Sequence, residues 1–131
     1  MALPLLTKSQ FMNGSQCSKR LWNEVHNATI VPTASADDLD RFAQGHALTA
    51  WARTLYSTGV LIEGHGRDEV TARTRDIMNT RVPVFEGAFL SAFGYARADI
   101  LLPSAGDAWD LVEVKMGAHI KEYYYHVSHD K

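Results

Sequence analysis

Hydrophobic residues recur at helical spacing through roughly the first two thirds of the chain, and then at every second position. The helical part predicts one broken helix or two short ones, then a long helix, a short strand and an amphipathic helix. These predicted elements cover residues 7–26, 36–56, 60–62 and 68–79. The chain therefore begins with helices and changes to strand-like alternation near residue 80.

Polar residues that cap helices mark the predicted helix ends. Thr7 or Ser9 is placed to cap the first helix, Gly14 is expected to interrupt it, and Ser18 is placed to cap the continuation. Ser35 precedes the long helix, and two aspartates follow it, where the positive end of the helix dipole favours acidic side chains. These signals predict where the helices begin.

The alternating part predicts three strands, over residues 82–90, 95–102 and 109–116. Their connections are short, so neighbouring strands are expected to be antiparallel. Helices followed by such a sheet indicate an α+β domain, here a three-stranded antiparallel sheet with flanking helices. We expect a single domain, divided into an N-terminal helical segment, a core and a tail (residues 1–35, 36–120 and 121–131).

Composition limits the function classes. The net charge of −2 gives no broad basic surface of the kind that binds nucleic acid nonspecifically. Cys17 is the single cysteine, so no internal disulfide forms, which favours a reducing cytoplasm. The apolar run at the start is too short for a signal peptide or a membrane span.

The predicted hairpin places four charged side chains on one face. Alternation puts Ala96, Ala98, Ile100 and Leu102 on one face with Val112, Val114 and Met116. The charged side chains Arg97, Asp99, Glu113 and Lys115 then share the other, with Tyr95, Leu101, Trp109 and Leu111.

If the loop spans residues 104–108, Asp99 lies opposite Glu113, and Arg97 lies opposite Lys115. Opposed carboxylates repel unless a divalent cation such as Mg²⁺ or Mn²⁺ lies between them. The alternative is a charge ladder, with diagonal ion pairs Asp99–Lys115 and Arg97–Glu113.

His46 lies on the apolar stripe of the long helix, at helical spacing from Leu39, Phe42 and Ala50. It is either a buried, hydrogen-bonded histidine or a ligand. Gly45 beside it costs about 1 kcal/mol in a helix relative to alanine, which would be explained by close approach of another segment.

The order of His46, Asp99 and Glu113-Val-Lys115, with Glu86 before the last two, resembles the PD-(D/E)XK nuclease superfamily. The resemblance is closest to the RecB-like branch, which includes CRISPR-associated exonucleases, and it covers residues 5–125. The chain also resembles the N-terminal part of longer bacterial nuclease-like proteins. The spacing around His46 is shifted relative to the family glycine.

This resemblance implies a restriction-endonuclease-like core and metal-dependent hydrolysis of phosphodiester bonds in DNA, often at single-stranded ends. His46, Asp99 and Glu113 would be ligands for Mg²⁺ or Mn²⁺. Lys115 would polarise the attacking water or the phosphate. Glu86 would be an auxiliary acid, or alternatively a solvent-facing strand carboxylate.

Residues 16–22 also resemble the start of iron–sulfur members of that branch, which makes Cys17 a candidate ligand. One cysteine cannot hold a cluster, so the default interpretation of Cys17 is a small, partly buried hydrophobic residue.

The family core continues with a further helix and strand, which this sequence is expected to lack. The alternative function is therefore an inactive fragment, or a module that binds nucleic acid or protein and needs a partner chain or a second copy to cover an open sheet edge. A third interpretation is a small metal-binding tail using His119, His126 and His129, against a solvated tail.

Overall fold

The computed structural model describes residues 5–117, which form an α+β fold with helices against a mixed sheet. The α+β prediction is confirmed. The helices are α1 (Lys8–Gln16), α2 (Ser18–His26), α3 (Ala36–Arg53) and α4 (Arg67–Met78), and a 3-10 turn spans Ala28–Ile30. The strands are β1 (Leu6–Thr7), β2 (Val60–Leu61), β3 (Val84–Leu90), β4 (Gly94–Pro103) and β5 (Trp109–Val112).

The N-terminal helices form a pair that breaks at Cys17. Thr7 caps α1 through a reciprocal capping box with Gln10, as one of the two predicted caps. The predicted break at Gly14 is wrong, because Gly14 lies inside α1. A Cβ there would lie 2.6 Å from Cδ2 of Leu21, so the glycine lets α2 fold back closely on α1.

The predicted cap of α2 is also shifted by one residue. Ser18 is the first helical residue, and Cys17 is the N-cap without a side-chain hydrogen bond. The backbone N–H groups of Arg20 and Leu21 both donate to the carbonyl oxygen of Cys17.

The two later helices match their predictions closely. Ser35 caps α3 through a capping box with Asp38, and the helix ends at Arg53, a few residues before the predicted end. Helix α4 begins with Asp68 and Glu69 in its first turn. None of the described helices has the length and apolarity that a membrane span requires.

The sheet has five strands, whereas a three-stranded antiparallel sheet was predicted; the short strand predicted at residues 60–62 is present as β2. Strands β3 and β4 form the antiparallel centre, and β5 pairs with one half of β4. The two-residue strands β1 and β2 add parallel pairs, β1 beside the other half of β4 and β2 beside β3. Such short parallel pairs join distant segments, so local alternation does not reveal them.

Apolar side chains form a cluster on each face of the sheet. One cluster contacts α4 and contains the buried residues Ile62, Val70, Val84, Ala88, Ala98 and Leu101. The other contacts the end of α3 and contains Ala52, Phe85 and Ile100, with Leu102, Val112 and Val114 packed against it. The fold therefore has helices on both faces of the sheet.

The prediction that Ala98 and Ile100 share a core is wrong. Ala98 belongs to the α4 cluster and Ile100 to the α3 cluster. Glu86 lies between the ladder partners of Ile100 and Ala98, and its φ of 57° departs from strand geometry. This departure interrupts the regular alternation of side chains between the two faces of the sheet.

Strand β5 is shorter than predicted and ends at Val112, so Glu113 and Lys115 follow the strand rather than lie in it. The last ladder pair is Ile100–Val112. The predicted tail, its three histidines and the expected lack of a closing helix and strand concern residues 118–131, outside the described part.

Candidate functional site

Three carboxylates occupy neighbouring positions across the centre of the sheet. The β3–β4 register places Glu86 opposite Asp99, between the pairs Phe85–Ile100 and Gly87–Ala98. Glu113 follows Val112, the last residue that pairs with β4, and Asp99 bonds the backbone N–H of Val114, the residue after Glu113. The register predicted from the hairpin loop is therefore confirmed up to Val112, where β5 ends.

Glu86 adopts a left-handed backbone conformation, which a non-glycine residue takes at a cost of order 1 kcal/mol. Arg97 holds this peptide, because its Nε donates to the carbonyl oxygen of Glu86 at 3.1 Å. The same guanidinium donates to the carbonyl oxygen of Ile62 at 2.8 Å and lies 3.8 Å from the Glu86 carboxylate. One side chain thus links β4 to β3 and to the residue after β2.

Asp99 holds the chain where β5 ends. Its Oδ2 accepts a hydrogen bond from the backbone N–H of Val114 at 2.7 Å. A side chain therefore takes the place of a ladder partner, which is the physical reason why the strand stops earlier than predicted. Because this bond fixes Val114, it also fixes the course of the backbone between Glu113 and Lys115.

Glu113 receives two lysines on one oxygen. The Nζ of Lys115 lies 2.6 Å from its Oε1, and the Nζ of Lys8 lies 2.5 Å from the same atom. Partial burial raises the pKa of Glu113, but the hydrogen bonds from the two lysines outweigh burial and hold that pKa below its usual value. Glu113 is therefore ionised at neutral pH.

The charge ladder predicted as an alternative differs from the ion pairs found. That ladder would join Asp99 to Lys115 and Arg97 to Glu113. Within residues 5–117 Arg97 pairs with Glu86, and Lys115 pairs with Glu113. The difference follows from the early end of β5, because Glu113 and Lys115 are no longer held at strand positions.

Arg81 fixes the hairpin that carries these residues. Its guanidinium donates to the carbonyl oxygens of Ser104 and Ala108 at 2.6 and 3.1 Å, on the two sides of the loop. It also lies 4.8 Å from the centre of the Trp109 ring, a cation–π distance. The hairpin is thereby anchored to the turn that follows α4.

His46 is exposed on α3, so its interpretation as a buried core histidine is wrong. Leu39 and Phe42 on the same stripe are 58% and 59% exposed, because α3 contacts the sheet cluster through Ala52 near its C-terminal end. A Cβ at Gly45 would meet no atom within 4 Å, so the close neighbour expected there is absent among the described residues.

Across residues 5–117 no three His, Cys, Asp or Glu side chains form a ready metal-binding group. Asp99 bonds the backbone of the residue that follows Glu113, and Glu86 lies opposite Asp99 in the β3–β4 register. The roles of His46, Asp99, Glu113, Lys115 and Glu86 stay predictions.

The donor chemistry of the carboxylates fits Mg²⁺ or Mn²⁺, which prefer hard oxygen ligands. Existing bonds use Oδ2 of Asp99 and Oε1 of Glu113. The second oxygen of each carboxylate makes no hydrogen bond within the described part of the chain, which leaves two oxygens available for a cation and its waters.

Cys17 is exposed, so the expectation that it is partly buried is wrong. It sits at the junction of α1 and α2 and lines a groove of about 760 Å³ with residues of α2, the connector and α3.

Sequence reasoning did not assign Lys8, Arg81 or these roles of Arg97. Lys8 lies 105 residues from Glu113 along the chain, and no local pattern connects them. A parallel pairing of β1 with β4 was the missing information, since it brings the start of α1 to this part of the sheet.

No protein-family model, curated protein or solved structure matches this chain. The nuclease resemblance therefore stays a prediction from the motif residues.

Proposed function

We propose that this protein is a nuclease-like domain that hydrolyses phosphodiester bonds in DNA with the help of Mg²⁺ or Mn²⁺. Asp99 and Glu113 would hold the cation, with Glu86 as an auxiliary acid and His46 as the family's further ligand. Lys115 would be the residue that contacts the attacking water or the phosphate.

One observation supports this proposal above the others: Asp99 bonds the backbone N–H of Val114, between Glu113 and Lys115, and the Lys115 ammonium contacts the Glu113 carboxylate. Two carboxylates and a lysine, from two neighbouring chain segments, are the residue types that this chemistry needs. The left-handed conformation of Glu86 adds support, because strained non-glycine residues cluster at functional sites.

Asp99 and Lys115 would have different roles in the hydrolysis. A cation held here supplies neutralisation of the phosphate charge and a bound water of lowered pKa. Asp99 stays fixed by the Val114 N–H and offers its other oxygen. The Lys115 ammonium leaves Glu113 for the substrate, where it stabilises the negative charge that develops on oxygen.

Metal binding and cleavage, measured on the same variants, test the proposal. Asp99→Asn is expected to weaken Mn²⁺ binding by roughly tenfold or more and to abolish cleavage, because a ligand is lost. Lys115→Ala should abolish cleavage and leave Mn²⁺ binding measurable, because a lysine is not a ligand. Binding is followed by electron paramagnetic resonance, and cleavage with a labelled DNA oligonucleotide.

Asp110→Asn is the matched control, since it removes the same charge from an exposed position of β5. It should behave as the wild type in both assays. Equal loss of Mn²⁺ binding in the Asp99 and Lys115 variants would contradict the assigned roles, and cleavage that survives Asp99→Asn would contradict the proposed site.

A second candidate function is a binding module without turnover. The exposed apolar stripe of α3 favours it, since Leu39 and Phe42 are more than half exposed on a helix whose other end is packed. A partner protein would then bind through this stripe, without any reaction at the carboxylates.

A further inference from the structure

Lys8 contacts Glu113 from the opposite end of the described chain, and neighbouring backbone contacts hold Lys8 in place. It is the first residue of α1, directly after Thr7, which caps the helix and pairs with Tyr95 in the parallel β1–β4 ladder. The backbone of Lys8 is therefore held by a strand pair and by a capping box. The side chain extends from that anchor to Oε1 of Glu113.

Two ammonium groups thus converge on a single anionic oxygen. Lys8 and Lys115 contact the same atom from different segments, and their side chains are 54% and 57% exposed. Two converging ammonium groups on half-exposed side chains are also suited to a phosphate oxygen. The Glu113 carboxylate here occupies the place that such an anion would take.

An aromatic groove begins at Lys8. It has a volume of about 600 Å³ and lies between the start of α1 and the β3–β4 turn. Phe11, Phe89 and Phe93 line it and are 62%, 42% and 74% exposed. Exposed aromatic rings beside a cation are the pattern with which proteins bind unpaired bases, by stacking the base and neutralising the adjacent phosphate.

We propose that Lys8 and Lys115 form a phosphate-binding pair, for which Glu113 is the internal competitor, and that the groove beside Lys8 receives the base attached to that phosphate. The ligand is a nucleotide unit of a strand. This assignment rests on the proposed function for its choice of a strand over a free nucleotide. The phosphate pair and the groove themselves rest on the contacts described above.

Titrations of the protein in EDTA test the site without any metal or cleavage. The probes are inorganic phosphate, thymidine monophosphate and a short oligothymidine, each followed by calorimetry. We expect affinity to rise in that order, because each probe adds a contact. Glu113→Gln should tighten binding of thymidine monophosphate about fivefold, since an exposed ion pair contributes up to about 1 kcal/mol.

The lysine and phenylalanine variants distinguish phosphate binding by the lysine pair from base binding in the groove. Lys8→Met should weaken all three probes about fivefold, and Lys8→Arg should restore binding because the charge returns. Phe93→Ala should weaken thymidine monophosphate and leave inorganic phosphate unchanged. Lys19→Met and Phe42→Ala, exposed residues of α2 and α3, are the matched controls and should bind as the wild type does.

Three results would each contradict one part of the proposed phosphate and base site. Unchanged affinity in Glu113→Gln would show that Glu113 does not compete with the phosphate. Equal affinities for inorganic phosphate and thymidine monophosphate would show that the groove does not bind the base. An oligothymidine that binds no more tightly than the monophosphate would show that the ligand is a free nucleotide and not a strand.

Absence of all binding, together with a change in sedimentation of Phe93→Ala, would make the groove a contact between copies and overturn the proposal. Failure of the nuclease proposal alone would appear as missing Mn²⁺ binding or cleavage, while these metal-free titrations kept their expected pattern.

Discussion

Arg97 shows at the scale of one residue how this sheet is held at its centre. Its guanidinium bonds two carbonyl oxygens and faces the Glu86 carboxylate, so one side chain links its own strand β4 to β3 and to the residue after β2. Without these donors the carbonyl oxygens of Glu86 and Ile62 would lose charge-assisted hydrogen bonds, which are worth about twice a neutral one. The left-handed peptide of Glu86 is thus stabilised by a neighbour in the adjacent strand.

Two glycines that look alike in the sequence should respond oppositely to alanine. Gly45→Ala is expected to raise the free energy of unfolding by about 0.5–1 kcal/mol, because the helix gains propensity and a Cβ there meets no atom within 4 Å. Gly59→Ala should lower it by about 1–3 kcal/mol, because its Cβ would collide with the buried Phe85 ring. Urea denaturation of both variants measures the difference, and a stabilised Gly59→Ala would contradict the packing described for Phe85.

The candidate residues themselves could be selected from the sequence, but their partners could not. Asp99 and Glu113 follow from alternation and loop length, which are local. The lysine that joins Lys115 on Glu113 comes from 105 residues away, and the conformation of Glu86 depends on Arg97. Contacts of this kind depend on strand pairing, which a single sequence does not reveal.

At the scale of elements, local signals predicted most of what formed. The capping residues Thr7 and Ser35 act within four residues of the chain, and the structure has both helix starts. Strand β5 is the main error in length, because the carboxylate of Asp99 takes the backbone N–H of Val114. Where a side chain of another strand decides the end of a strand, the periodicity of the local sequence cannot predict that end.

The cap of α3 should make the stability of this helix depend on pH. Hydrogen bonds from the hydroxyl and the backbone of Ser35 hold the pKa of Asp38 below its usual value. A group whose pKa is lower in the folded state stabilises the fold above its unfolded pKa of about 3.9, and this contribution is lost as the pH falls through the folded value. Stability should therefore decrease on acidification in this window.

Comparison with Ser35→Ala isolates that contribution. The difference in urea midpoint between wild type and variant should narrow as the pH is lowered below about 4, since the protonated Asp38 no longer gains from the serine. Circular dichroism at several pH values follows it. A difference that widens on acidification would show that the ionised carboxylate opposes the cap.

For the whole molecule, the distribution of apolar surface is uneven. The α4 face of the sheet is well covered, with Val70 and Val84 almost completely buried. Helix α3 instead packs through its C-terminal end and leaves large apolar side chains exposed, which are Leu39, Phe42 and Trp51. Exposed apolar patches of this kind mark interaction surfaces.

We expect the chain to self-associate through this stripe. The sedimentation coefficient should rise with protein concentration, and the double variant Leu39→Ser/Phe42→Ser should reduce that rise because it removes apolar surface from the contact. A double variant at Trp22 and Leu111, both exposed elsewhere, serves as the control for general surface hydrophobicity. A wild type that sediments as a monomer at every concentration would contradict the expectation.

The contact between Lys8 and Glu113 also bears on how the molecule acquires its native state. Closing a loop of 105 residues costs chain entropy, which is offset only once β1 pairs with β4, so this contact is expected late on the folding pathway. During synthesis the N-terminal helix pair and α3 emerge from the ribosome long before Glu113 does, and β1 must wait for β4. The candidate site is therefore expected to be the last part of the described chain to assemble, after the hairpin has formed.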